Sequence, residues 1–260
     1  MSFKTIKFTQ DAAAAIITLN RPEAANGLNI EMAKELAEAA NLVASDDRIK
    51  VVTLTAEGRF FCAGGDVQSM YDESERAGDA VMDIAGPLHE AISVFSAMDA
   101  VLICAVNGTA AGAGFSLAVS ADLVVASEAA KFTMAYSKIG LSPDGSSSFY
   151  LPRLIGLRRT QELMYTNRVL SAQEALEWSL VNFVVPVDDL SAKSEELAGV
   201  FASGSKQSNA SIKRLLREQE HATLSSQLDL ECQLIGACAD GQDGKEGVAS
   251  FIEKRKPTFK

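Results

Sequence analysis

The stretch "VLICAVNGTAAGAGFSLAVSADLVVAS", Val101 to Ser127, decides how the chain is read. Val101 to Val106 is an unbroken apolar run, the pattern of a strand buried on both faces. Asn107 and Gly108 end it, and "TAAGAG" follows as a Gly/Ala loop that opens a helix of small residues. "LVVAS" is again a short strand. Strand, loop, helix and strand in this order predict an α/β organisation with parallel or near-parallel strands.

The same grammar runs upstream. "AAAIITLN" (13–20) reads as a strand and "RPEAANGLN" (21–29) as the loop that ends it. "IEMAKELAEAANLVASDD" (30–47) spaces its apolar residues for a helix, and "KVVTLTAEG" (50–58) is a second buried strand. "GRFFCAGGDV" (58–67) reads as a loop. "VMDIAGPLHEAISVFSAMDA" (81–100) is expected to be helical with an interruption near Gly86 and Pro87. "KFTMAY" (131–136) is another short strand. Beyond Ser147 the chain is mainly helical, with "NFVVPVDDL" (182–190) as a short extended break. Residues 1–200 are therefore expected to form the core that carries the chemistry, and 201–260 a helical region with no flexible boundary between them.

Composition narrows the function. The 260 residues are 47% hydrophobic and 22% charged, enough to bury a sizeable core. The net charge of −10 leaves no basic face for nucleic acid. The cationic cluster Lys254, Arg255, Lys256 and Lys260 has the chemistry to hold a phosphate. Cys62, Cys104, Cys232 and Cys238 show no CxxC pairing, and the chain has 2 histidines, so no metal site is expected. The thiols read as reduced core residues of a cytoplasmic protein. No apolar run reaches the roughly 18 residues of a membrane span, and the first residues lack a leader pattern.

Two loops share a chemical logic. "FFCAGGDV" and "NGTAAGAGFSL" each put small residues just after a buried strand, so a ligand can approach the main chain. Side by side they would offer two N–H groups to one oxygen, an oxyanion hole. The same small residues also permit tight strand–helix packing, and spacing alone does not separate the two readings. No G-x-G-x-x-G run and no G-x-S-x-G elbow is present, which argues against a dinucleotide site and an α/β-hydrolase.

Taken together, "ITLNRPEAANGLN", "FFCAGGDV", "AVNGTAAGAGFSLAVSADLVVAS", "KIGLSPDGSSSFYLPRLIGL", "LSAQEALEWSLVNFVVP" and "GKEGVASFIEKRKPTF" resemble the crotonase superfamily, the enoyl-CoA hydratase/isomerase family, over nearly the whole chain. The resemblance implies a spiral of ββα units and a C-terminal helical region that builds a trimer or a dimer of trimers. It implies an acyl-CoA thioester as substrate, with coenzyme A as part of that substrate and no separate cofactor. It assigns the oxyanion-hole amides to Ala63 and Ala113, where the family usually has glycine at the second. It assigns substrate and coenzyme contacts to Ala24, Ala63, Gly64, Gly65, Asp66, Val67 and Ala113. Phe251 and Lys254 would reach the coenzyme held by a neighbouring subunit.

The departures from the family pattern bear on the reaction. A typical hydratase holds water with two glutamates, and those positions carry Ser116 and Tyr136 here. Neither hydroxyl serves easily as a base near neutrality. Asp144, in "GLSPDGSSS" (140–148), matches the acidic residue of Δ3,Δ2-enoyl-CoA isomerases and ring-epoxyphenylacetyl-CoA isomerases. Pro-Asp-Gly is also ordinary turn chemistry, and the aspartate could serve only that. The aspartate is expected to lie buried beside Phe115, Tyr136 and Phe149. A second reading likens the chain to 4-chlorobenzoyl-CoA dehalogenase, with Asp144 as nucleophile and His89 as base; "RRTQELMYTNRVL" (158–170) supports it. Hydratase activity by other groups and non-catalytic acyl-CoA binding complete the alternatives. Asp66 is expected to organise its loop, Ser116 to line the pocket, and Trp178 to lie in the core.

Overall fold

The computed structural model describes residues 3–72 and 74–260. β1 (Ile6–Asp11) and β2 (Ala14–Leu19) form an antiparallel hairpin. α1 (Ile30–Ser45) starts at Asn29, whose side chain accepts the Met32 N–H, and it buries a stripe that includes Met32, Leu36, Ala40 and Val43. β3 (Val51–Ala56) then pairs parallel to β2. β4 (Phe60–Cys62), α2 (Val67–Asp72) and α3 (Ala77–Ala97) follow, then β5 (Val101–Val106), β6 (Thr109–Ala111) and α4 (Ala113–Val119). Next come β7 (Leu123–Ser127), β8 (Lys131–Thr133), α5 (Ser147–Thr166), β9 (Leu170–Ser171), α6 (Ala172–Glu177) and β10 (Phe183–Val185). α7 (Leu190–Ala202), α8 (Lys206–Glu218), α9 (Leu224–Asp240) and α10 (Gln242–Ile252) complete the chain.

The strands form two sheets, β1-β2-β3-β5-β7-β10 and β4-β6-β8-β9. From β2 to β10 the first sheet is parallel, as is β4-β6-β8 in the second. Each long strand, β3, β5 or β7, is followed at once by a short one in the other sheet. That stepping is the spiral of ββα units expected above. The main core lies between the sheets and α1 and α3, built around fully buried Phe61, Phe95, Phe115 and Phe132. A smaller core seals the other face of the long sheet: Val51, Ile103, Ala105 and Val125 pack with Leu190, the first residue of α7. β5 is apolar throughout because both of its faces are covered.

Three expectations need correcting. The stretches read as loops contain β4 and β6, each 3 residues long, too short to display a period of two. α3 runs through Pro87 without interruption. Its buried stripe, Ala80, Ile84, Leu88, Ala91, Ile92 and Phe95, continues across the proline, while Asp83 and Gly86 on the opposite face are exposed, so the missing hydrogen bond falls toward water. Cys62 and Cys104 are core residues, but Cys232 is exposed and Cys238 half-buried, both on α9.

α8 and α9 bury none of their residues, and α10 buries Ser250. Their large apolar side chains stand exposed, Leu216 at 69%, Ile235 at 72% and Phe251 at 86%. Among the described residues no helix is long and apolar enough to cross a membrane.

Candidate active site

The loops after β4 and β6 meet at their glycines. Gly64 has φ +102°, and a Cβ there would lie 3.1 Å from the Ala111 carbonyl oxygen and 3.6 Å from the Ala113 nitrogen. A side chain would push the loops apart, which is why the approach requires glycine. Gly114 is tighter still: its Cβ would fall 2.3 Å from the Cys62 carbonyl oxygen.

Two amides at this junction are unspent. Gly65 forms a parallel bridge with Leu28, and the bridge uses the Gly64 carbonyl (2.8 Å) and the Asp66 amide (2.9 Å). The Gly65 N–H is therefore outside it. Ala113 opens α4, where a first-turn amide has no partner within the helix. Among the described residues neither N–H has an acceptor. The Ala63 amide, expected to face the substrate oxygen, instead donates to the Ala25 carbonyl at 3.0 Å. It is tied to the turn after β2, whereas the Gly65 amide two residues on has no such partner among the described residues. Nothing in "CAGGD" separates the two amides, because the positive φ of Gly64 and the pairing with Ala25 are set by the fold.

The turn after β2 braces this wall. Arg21 reaches Asp66 at 3.0 Å, both side chains largely buried, and also donates to the Gly27 carbonyl. Asp66 accepts the Ser69 N–H at 3.4 Å at the start of α2, so it organises its loop and its contacts are all internal. Ala24 lies in the same turn and its carbonyl accepts the Gly27 N–H at 2.9 Å.

A cavity of about 410 Å³ opens at the junction, within the usual range for small-molecule sites. Ala63, Gly64, Gly65, Val67 and Ala113 line it, with Met70, Ile84, Leu88, Tyr136, Ile139 and Leu141 as its apolar walls. Asp144 is the one carboxylate among the described residues that line it. Its side chain is 29% exposed, so it is half-buried rather than enclosed by Phe115 and Phe149; Phe149 is itself 44% exposed under the Arg153 guanidinium.

His89, on α3, places Nε2 against Asp144 Oδ1, and the Gly145 N–H donates to the same oxygen. Oδ2 has no partner among the described residues. Tyr136 lies at the cavity wall, and burial raises its phenol well above the usual range. Ser116 was expected to line the pocket. It lies fully buried behind the Asp144 loop, donating to the Asp144 carbonyl at 2.7 Å. Behind the glycine junction Cys62 is buried and its thiol is pushed up to about 12, which removes it as a nucleophile. Phe251 and Lys254 do not border this cavity within their own chain. Trp178 is half-buried between Arg159 and Arg168.

The enoyl-CoA hydratase/isomerase family model matches residues 9–260. The chain belongs to that family. Members of this family are acyl-CoA enzymes, and the mixed α/β fold with its parallel sheets matches that of the family's solved structures. The 1,2-epoxyphenylacetyl-CoA isomerase of Escherichia coli K12 is 38% identical over 244 residues, covering 94% of this chain and 93% of that protein. The 4-chlorobenzoyl coenzyme A dehalogenase-2 of an Arthrobacter species is 33% identical, covering 92% of this chain and 87% of that one. An enoyl-CoA hydratase from Polaromonas sp. JS666 superposes with a TM-score of 0.93 at 36% identity, covering 98% and 99% of the two chains.

Proposed function

We propose that this enzyme is an acyl-CoA isomerase that shifts a 3-enoyl double bond to the 2-enoyl position, or rearranges a ring-epoxide acyl-CoA, through an enolate. The observation that carries the reading is Asp144: among the described residues it is the one carboxylate at the cavity, and its Oδ2 has no partner there. The thioester oxygen accepts from the Gly65 and Ala113 amides, which stabilises negative charge as it develops there. Asp144 Oδ2 removes a proton from C2, and the electrons of that C–H bond enter the dienolate. The same carboxyl returns the proton at C4, leaving the double bond between C2 and C3. A single acid/base group suffices because it takes and gives one proton.

Asp144→Asn tests this. Turnover of a 3-enoyl-CoA should fall about 10³-fold while binding of the CoA ester stays within about 2-fold. Wild-type turnover in the variant sinks the proposal.

A second reading is favoured by one observation, the contact of His89 with Asp144. In a dehalogenase, Asp144 would attack a ring carbon and displace halide, and His89 would activate the water that releases the product. Halide release from 4-chlorobenzoyl-CoA, without turnover of 3-enoyl-CoA, would favour this reading over the first.

For assembly we propose a trimer or a dimer of trimers built through α8, α9 and α10. The support is the exposed apolar surface of these helices, which a second copy would cover. Phe251 and Lys254 would then stand near a neighbour's coenzyme. Sedimentation of the purified protein tests it, and a stable monomer contradicts it.

A further inference from the structure

Three hydroxyls converge on one main-chain oxygen. The Asp144 carbonyl accepts Ser116 Oγ at 2.7 Å, Ser147 Oγ at 3.0 Å and the Tyr136 hydroxyl at 3.2 Å. The donors come from α4, from the start of α5 and from the turn after β8. Two of them, Ser116 and Tyr136, stand where the resemblance puts the glutamates of a hydratase, and their oxygens lie 3.3 Å apart.

The loop they hold needs holding. Gly140, Gly145 and Ser146 all sit at positive φ, 76°, 63° and 75°, a region that a non-glycine residue adopts at a cost. Gly145 also rests directly on Ser116: a Cβ on it would come within 3.0 Å of Ser116 Cβ. The loop packs onto the Ser116 side chain, whose hydroxyl reaches the Asp144 carbonyl. A glutamate there would bring its carboxylate against the Asp144 carbonyl, acceptor against acceptor, in a buried place.

We infer that Ser116 and Tyr136 are positioning residues, which fix the Asp144 carboxylate through its own main-chain carbonyl. The inference rests on the reading of Asp144 as the proton shuttle. The raised phenol of Tyr136 fits the role, because the group stays a donor through the working pH range. A carbonyl oxygen has two lone pairs, so three donors oversupply it. The loss of one is covered by the others, and the loss of two is not.

The test is steady-state kinetics on a 3-enoyl-CoA for Ser116→Ala, Tyr136→Phe and the double variant, with Asp144→Asn in parallel. Each single variant should lower kcat about 3-fold, and the double more than about 30-fold, beyond the product of the two. KM and the affinity for the CoA ester should stay within about 2-fold in all three, because the amides are untouched and the substitution at 136 keeps the ring that lines the cavity. If the double variant does not fold, Tyr136→Phe with Ser147→Ala removes two of the same three donors and reads the same effect. An unchanged kcat in the double variant, with Asp144→Asn inactive, overturns the positioning role. A fall in kcat matched by an equal loss of affinity also overturns it, since that reports a deformed pocket. Activity retained by Asp144→Asn overturns the underlying function instead, so the two failures are distinguishable.

Discussion

One wall of the cavity, Cys62–Asp66 with Gly112–Ala113, works through main-chain amides; another, Tyr136–Asp144 with Ser116 and His89, works through side chains. The first wall demands glycine at contacts where a Cβ would come 2.3–3.1 Å from a carbonyl oxygen, and it tolerates alanine at 113, which still presents its N–H. The second depends on which functional groups stand at 116, 136 and 144. An amide wall of this kind can serve any acyl-CoA that gains charge at its thioester oxygen. In the proposed mechanism the side-chain wall selects the reaction.

The largest expected break in the amide wall is Gly114→Ala. The methyl would enter the space of the Cys62 carbonyl, so the variant should lose about 1–3 kcal/mol of stability, read as a lower midpoint in urea. Gly64→Ala is next. At φ +102° and against Ala111, the added methyl should turn the Gly65 amide away and lower kcat about 10- to 100-fold. On the side-chain wall, His89→Ala sharpens the comparison between the two reactions. His89 is 53% exposed and bonds to Oδ1 rather than Oδ2, so isomerisation should fall less than about 10-fold. A far larger loss would move the account toward His89-dependent hydrolysis.

Tyr136 adds a pH dependence. Burial raises its phenol in the folded state, so the folded form keeps a proton that the unfolded chain gives up above about pH 10. Its contribution is fully present below that pH and is lost as pH rises further, and Tyr136→Phe should flatten this part of the melting profile. The smallest effect is Ala113→Gly, which keeps the N–H and should leave kcat within about 3-fold.

Legibility in the sequence follows the same division. Long strands and α1 carry apolar periods that physics ties to burial, so β2, β3, β5 and the main helices were readable. β4 and β6 were not, because 3 residues hold no period. Pro87 misled because a proline's local cost was weighed without the buried stripe that offsets it. Asp144 was legible as a candidate, since a carboxylate stood in the one loop where the resemblance called for it. The free amide was not legible. Ala63 faces the Ala25 carbonyl and Gly65 faces none among the described residues, and Ala25 is 38 positions from Ala63, a long-range pairing that no local pattern displays. The seat of Ser116 beneath Gly145 is of the same kind, set by a contact between distant segments.

The central claim is that Asp144 moves the C2 proton. Incorporation of deuterium at C2 of a saturated acyl-CoA, incubated with the protein in heavy water, tests it without dependence on the acyl chain's double bond. Exchange is expected with the wild-type enzyme and should be lost with Asp144→Asn, at unchanged affinity for the CoA ester. Exchange at the wild-type rate in Asp144→Asn would contradict it.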